Sequence, residues 1–256
     1  MTIPAIETKQ LSRLYGDHVA VDSLSLTVAP GEIFGFLGHN GAGKTTTISL
    51  LTTLLLPSSG SAAINGYDIV RQNREVRRHI GYVPENVRLY NELTVAENLR
   101  FLGELSGVSA IDKRIDEVLQ LLGHPEWRNL RTGALSKGMR QRVGIAQALL
   151  HQPAILFLDE PSSGLDPEGQ RAITDLIIQL NHELGITIFM NTHQLTEAAR
   201  MCTSIGIMKY GRLLVADSLA NVMNRIPDAP SLEDIYLGIE AEGDRPDLPL
   251  AVERYG

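Results

Sequence analysis

The sequence has a single cysteine, Cys202, so no intrachain disulfide framework can hold the fold together. It has no surplus of positive charge. Its 23 Lys and Arg against 30 Asp and Glu leave a net charge of −7, which argues against a nucleic-acid coat, because phosphates demand cations. No long apolar run is present either. The longest, Ile48 to Leu56, is interrupted by Ser49, Thr52 and Thr53 and stopped by Pro57, whereas a bilayer span needs roughly 20 mostly apolar residues. No membrane crossing is therefore expected of this chain. The stretch Met1 to Gln10 lacks a basic-then-apolar order and carries Glu7, so no secretory leader is expected. Internal repeats and low-complexity tracts are lacking too. What is present is 43% hydrophobic and 21% charged residues in 256, the balance of a globular chain that buries a sizeable core in a reducing compartment.

Periodicity divides the chain. Ala5 to Leu14 and Ala20 to Val28 alternate apolar and polar residues, as half-buried strands do, and Pro30-Gly31 makes a turn. Ile33 to Leu37, Ile155 to Leu158 and Thr187 to Met190 are short continuous apolar runs, the pattern of strands buried on both faces of a parallel sheet. In Asp166 to Leu184 the residues Ile173, Leu176, Ile177, Leu180 and Leu184 fall on one helical face. Asp166 is placed as N-cap, Pro167 suits the first helical position, and Gly185 ends the helix. Strands alternating with helices predict a wound α/β core. Leu93 to His151 differs, being helical with no intervening strand. Thr94 and Glu97 have capping-box spacing, and Ile115, Val118, Leu119 and Leu122 recur helically up to Gly123. After Ile205, two apolar runs flank Tyr210-Gly211, a predicted hairpin, and from Glu240 the chain turns acidic with Gly243, Pro246 and Pro249.

The strongest local signal is Gly38-His39-Asn40-Gly41-Ala42-Gly43-Lys44-Thr45, between a buried strand and a helix. Glycines let the backbone wrap phosphates with inward N–H groups, and the helix start adds its positive dipole end. In such a loop Lys44 reaches the β- and γ-phosphates and the Thr45 hydroxyl ligates Mg²⁺. His39 occupies a variable position, and its ring is assigned no role. A second element is Asp159-Glu160, two carboxylates at the end of the apolar strand Ile155 to Leu158. Alone, such a pair is more often a turn or a helix cap. Beside the phosphate loop, Asp159 supports the Mg²⁺ shell and Glu160 polarises the attacking water.

Taken in order, these motifs resemble those of the ATP-binding cassette (ABC) ATPases, the motors of ABC transporters, over about Ile6 to Leu237. Tyr15 stands where that family stacks an aromatic on adenine, although by itself it reads equally well as a surface aromatic. Leu135-Ser136-Lys137-Gly138-Met139 resembles the signature motif, and Ser136 also reads as a helix N-cap. Ser163-Gly164-Leu165-Asp166 resembles the loop crossing the dimer interface, and Thr192-His193 the switch histidine. The resemblance implies an α/β P-loop NTPase core with a mainly parallel sheet, an N-terminal antiparallel β subdomain and an all-helical insertion. The expected organisation is one domain over residues 3–237, with the helical subdomain at about 86–150 and a loose acidic tail at 238–256. It implies ATP and Mg²⁺ as ligands, with Tyr15, Gly38, His39, Asn40, Gly41, Ala42, Gly43, Lys44, Thr45, Thr46, Ser136 and Gly138 around the nucleotide. Thr45, Asp159 and Glu85 would stand near the metal, and Glu160, His193 and Lys44 would serve in catalysis. A single set of motifs implies a homodimer when ATP is bound, each copy supplying half of two sites. The cargo path then belongs to an integral membrane permease, which keeps this chain peripheral on the cytoplasmic face, with no nucleic-acid partner.

Two departures from the family pattern stand out. Glu85 replaces the usual glutamine after Gly81-Tyr82-Val83-Pro84, which adds negative charge beside a triphosphate and makes a coupling role the alternative to metal ligation. Lys137 and Met139 replace a glycine and a glutamine of the signature, so Lys137 is expected to attract the opposing nucleotide. Both departures, with Ser231 to Leu237, resemble the branch that drives drug-resistance and related exporters. The competing readings are an importer ATPase, a non-transport ABC protein acting on ribosomes or DNA, and a regulatory module without turnover.

Overall fold

The computed structural model describes residues 2–225 and 231–242. The N-terminal alternation becomes β1 (Ile6–Tyr15) and β2 (His18–Val28), an antiparallel pair whose next member is β4 (Ser59–Ile64), followed by the short β5 (Tyr67–Asp68). The order of this sheet is β2-β1-β4-β5. The continuous apolar runs become β3 (Ile33–Leu37), β7 (Ile155–Asp159) and β8 (Thr187–Thr192), and every residue in all three is buried. They pair in parallel with one another, with β6 (Ile80–Val83) and with β9 (Ser204–Lys209), while β10 (Arg212–Ser218) closes one edge antiparallel. The second sheet therefore runs β10-β9-β3-β8-β7-β6.

Period-two alternation explains the two cores. On β3, Phe34 and Phe36 join Phe157 and Phe189 in an aromatic cluster facing the antiparallel sheet and α1 (Lys44–Leu51). Ile33 and Leu37 face the other way, into the core shared with the helices. Cys202 fills that side too: its Sγ occupies the space a Cβ on Gly35 would need, and burial pushes its thiol up to about 12, so it is an inert filler.

The insertion holds helices and no strand, with α3 (Val95–Leu105), α4 (Ile111–Leu121), two 3₁₀ turns and α5 (Lys137–Leu149), and an isolated bridge between Thr94 and Arg131. Thr94 and Glu97 make the reciprocal capping box, the Glu97 carboxylate accepting from Thr94 N–H at 2.7 Å and Thr94 Oγ1 from Glu97 N–H at 3.2 Å. Arg114 reaches from α4 to the Leu149 and Leu150 carbonyls at the end of α5, tying the insertion to itself. The helix α6 (Pro167–Leu184) carries its expected Asp166 cap and the left-handed Gly185 stop. The segment α2 (Asn73–His79), together with β4 to β6, lacks a clear periodicity in the sequence; only Val76 of α2 is buried. At the C-terminal end, α7 (Leu195–Met201), α8 (Leu219–Met223) and α9 (Leu232–Glu242) follow. The expected loose tail thus begins later than residue 238. Ile239 is buried, Tyr236 donates to Glu240 and Lys209 donates to the Glu240 carbonyl, which together keep this stretch helical. Residues 243–256 of that expectation lie outside the described residues.

Candidate nucleotide site

Four parallel strands end at one place. The phosphate loop follows β3, Glu85 follows β6, Asp159 and Glu160 follow β7, and Asn191 to His193 follow from β8. In parallel α/β sheets, ligand sites form beyond the carboxyl ends of the strands. Here a cavity of about 500 Å³ is lined by Tyr15, His18, Asn40, Lys44, Thr45, Thr46, Glu85, Glu160, Ser163, Asn191 and His193, with Gly41 and Gly43 in its floor.

The loop's shape depends on its glycines. Gly43 has φ of 105°, and a Cβ there would sit 2.2 Å from the Ala20 carbonyl oxygen. Gly41 also has positive φ, 84°, but faces open space. Gly43→Ala is therefore expected to unseat the loop, costing about 1–3 kcal/mol for the backbone conformation alone and more for the clash. Gly41→Ala incurs only the conformational cost. Denaturant unfolding and nucleotide titration of both variants check this: Gly43→Ala should lose stability and binding together, and Gly41→Ala much less.

Lys44 is 5% exposed, and its Nζ donates to the Gly38 carbonyl at 2.5 Å and the His39 carbonyl at 3.1 Å. Burial lowers its pKa, while the charges of Glu160 and Asp159 oppose that shift. Thr45 Oγ1 lies 3.4 Å from Asp159 Oδ1, and Asn191 Nδ2 donates to the same oxygen at 2.6 Å. Desolvation raises the Asp159 pKa against these hydrogen bonds, and the Glu160 charge raises it further. A cation beside the carboxylate would relieve both effects. Among the described residues no group of three or more His, Cys, Asp or Glu side chains is gathered to hold a metal alone. A hydroxyl with one carboxylate is the sparse oxygen set that suits Mg²⁺ held largely through phosphates and water.

Glu160 sits at φ of 49°, a left-handed conformation that costs a non-glycine residue. The turn is held there by its N–H donating to the Asn191 carbonyl and its carbonyl accepting from Ser163 N–H. Its Oε2 approaches His193 Nδ1 at 2.8 Å, a close contact whose angles do not make a hydrogen bond, so the buried oxygen keeps an open lone pair. Glu85 also reaches the turn, accepting from Ser163 Oγ at 3.1 Å.

Some expected residues stand elsewhere. Gly38, His39 and Ala42 do not line the cavity: Ala42 is wholly buried, the Gly38 carbonyl holds Lys44, and the His39 ring packs edge-on against Tyr210. Ser136 caps α5 by accepting from Met139 N–H, and neither it nor Gly138 lines the cavity of its own chain. Lys137 donates to the Ser163 carbonyl at 2.6 Å within the same chain, so in this state its ammonium is engaged locally rather than free for an opposing nucleotide. Asn191, Ser163 and His18 enter the site without having been singled out as nucleotide or metal contacts. The one sequence signal for Asn191 is an amide at the end of an otherwise apolar strand.

Comparison with known proteins agrees with this geometry. A model of the ABC transporter family matches residues 21–163. The bacitracin transport ATP-binding protein BcrA of Bacillus licheniformis is 43% identical over 209 residues, 82% of this chain and 68% of that protein. The methionine import ATP-binding protein MetN of Geobacillus kaustophilus (strain HTA426) is 37% identical over 235 residues, 88% of this chain and 68% of that protein. A solved ATP binding subunit of an ABC transporter superposes with a TM-score of 0.81 at 31% identity, covering 92% of this chain and 99% of that one. With the phosphate loop, Glu160 and His193 meeting at one cavity of this shared fold and Asp159 just behind Thr45, the chain belongs to the ABC transporter family, as an ATP-binding subunit that hydrolyses ATP.

Proposed function

We propose that this subunit works as an ATP-bound homodimer on the cytoplasmic face of a membrane and powers export through a separate permease. One observation carries the dimer. Lys44, Thr45, Glu160 and His193 surround one cavity, while Ser136 and Gly138, the signature residues, lie off it. Each chain thus presents two halves that a second copy would join. No described helix is long and apolar enough to cross a membrane, so the cargo path is assigned to a partner. Export is favoured by Glu85 and the Lys137-Met139 signature, which resemble the exporter branch. Relatives named for import also match, so direction is decided by transport itself.

In this reading Lys44 neutralises the β- and γ-phosphates, and Thr45 and Asp159 hold Mg²⁺. Bound Mg²⁺ supplies charge neutralisation at the phosphate oxygens. Glu160 takes the proton of the attacking water, and His193 keeps the carboxylate oriented and faces the γ-phosphate. Glu85 links the site to the permease through Ser163 rather than serving chiefly as a metal ligand. Vesicles rebuilt from the chain and its co-purified membrane protein test the assignment. Cargo is expected to move away from the ATP-bearing face. Movement toward that face would establish an importer, and an ATPase indifferent to any membrane protein would sink the transport reading.

A further inference from the structure

The turn that carries Glu160 and the turn that carries His193 are joined twice. The first joint is the Glu160 to His193 contact itself. The second lies behind it. Ser162, 1% exposed, donates from Oγ to Glu197 Oε2 at 2.6 Å. Glu197 sits in the first turn of α7, which begins two residues after His193. Its other oxygen, Oε1, is buried without a hydrogen-bond partner. A half-buried carboxylate with a short bond to one hydroxyl, one oxygen unpartnered and no ion pair among the described residues is an expensive arrangement for stability alone.

We propose that Ser162 and Glu197 are a positioning pair, a half-buried hydrogen bond that sets how closely His193 approaches Glu160. The strained Glu160 gives the bond its purpose. Its backbone is fixed by the Asn191 carbonyl and by Ser163, but nothing in that backbone network reaches α7. Ala198 and Met201 seat α7 in the core and Arg200 ties it to Asp175 of α6, but among the described side-chain hydrogen bonds only Ser162 to Glu197 sets its first turn against the 160–163 turn. His193 is half exposed, so packing restrains its ring only in part. Small displacements of an acting group are costly in rate and cheap in binding, because nucleotide affinity comes from the phosphate loop on another strand. The Glu197 carboxyl is itself raised by burial, with the Glu160 charge adding to the shift, which agrees with a group crowded toward the site.

This inference rests on Glu160 and His193 acting in hydrolysis, and the experiment separates the two. Ser162→Ala, Glu197→Ala and Glu197→Gln are compared in the full chain by steady-state ATPase assay, fluorescent-nucleotide titration and thermal melting. Ser162→Ala and Glu197→Ala are expected to lower kcat about tenfold, with nucleotide affinity within twofold of the parent. Glu197→Gln keeps an acceptor oxygen for the hydroxyl and is expected to restore most of that loss. The double Ser162→Ala/Glu197→Ala variant should fall no further than either single one, since both remove the same bond. An unchanged kcat in both alanine variants overturns the proposal. So does a parallel fall of kcat, affinity and melting temperature, which marks a merely structural bond. If instead Glu160→Gln keeps full turnover, the catalytic reading fails, independently of the pair.

Discussion

Glu160→Gln is expected to abolish ATP turnover while ATP still binds, and to accumulate the chain as a dimer. The substitution changes almost no volume at a side chain that is mostly buried, so the left-handed turn and its backbone bonds to Asn191 and Ser163 persist. What disappears is the proton acceptor. General-base removal typically costs a factor of about 10²–10⁴ in rate. Binding moves the other way. The nucleotide must enter a site that holds Glu85 and Glu160, with Asp159 just behind Thr45, and, among the described residues, Lys44 alone as a permanent side-chain cation on the cavity wall. Deleting one of those negative charges lowers the repulsion toward a triphosphate. If hydrolysis is the step that separates two copies, a variant that binds and does not hydrolyse remains paired. Light scattering with Mg²⁺ and ATP, beside a phosphate-release assay, measures both halves. Sustained turnover in this variant would remove Glu160 from the mechanism.

The sequence is most legible where the chemistry is contiguous. Gly38 to Thr45 carries its meaning within one turn, because wrapping phosphate needs glycines, a lysine and a hydroxyl at fixed local spacing. Asp159-Glu160 is legible for a related reason: an apolar run ending in acids must be a buried strand reaching a polar edge. The helix caps are local too, and Thr94, Ser136 and Asp166 all cap as expected. Legibility fails where contacts depend on strand order. Ser163 meets Glu85 across 78 positions, and Ser162 meets Glu197 across 35. Nothing in either local sequence announces these partners, since they meet only because β7 lies between β6 and β8.

Secondary structure fails for a different reason. Ser59-Gly60-Ser61 of β4 has no alternating apolar pattern, and is a strand because β1 offers an unpaired edge. There Gly60 has φ of 75°, with the Gln10 carbonyl so close that a Cβ would collide with it. The strand β6 is four residues long, contains Gly81 and lies at the sheet edge, too short for periodicity to register. The local bond from Lys137 to Ser163 was hidden in the same way. The signature lysine reads as free charge until the fold brings the 160–166 turn beside the start of α5.

Lys44→Ala is expected to weaken ATP binding by about two orders of magnitude, the opposite signature to Glu160→Gln. The lysine is almost wholly buried, yet its two hydrogen bonds go to the carbonyls of Gly38 and His39 within its own loop. Those carbonyls hold the ammonium in place, while the carboxylates of Glu160 and Asp159 keep it charged against the cost of burial. A site of this composition is nearly silent without ligand and strongly attractive with it. The triphosphate brings oxygens with which the ammonium makes charge-assisted bonds, and among the described residues no other lysine or arginine lines the cavity to replace it. Removing one partner of a buried, hydrogen-bonded charge pair costs about 2–5 kcal/mol. The lower half of that range corresponds to roughly a hundredfold in Kd. The loop loses the two lysine bonds to the Gly38 and His39 carbonyls but should survive, because Gly41, Gly43 and the bonds of Ala42 to His39 and Gly211 remain and the cost of burying the ammonium goes with it. Fluorescent-nucleotide titration with and without Mg²⁺ reads the loss, and an unchanged melting temperature of the nucleotide-free chain shows that binding rather than folding was removed. Affinity within threefold of the parent would mean that backbone N–H groups and the cation carry the phosphates without the lysine.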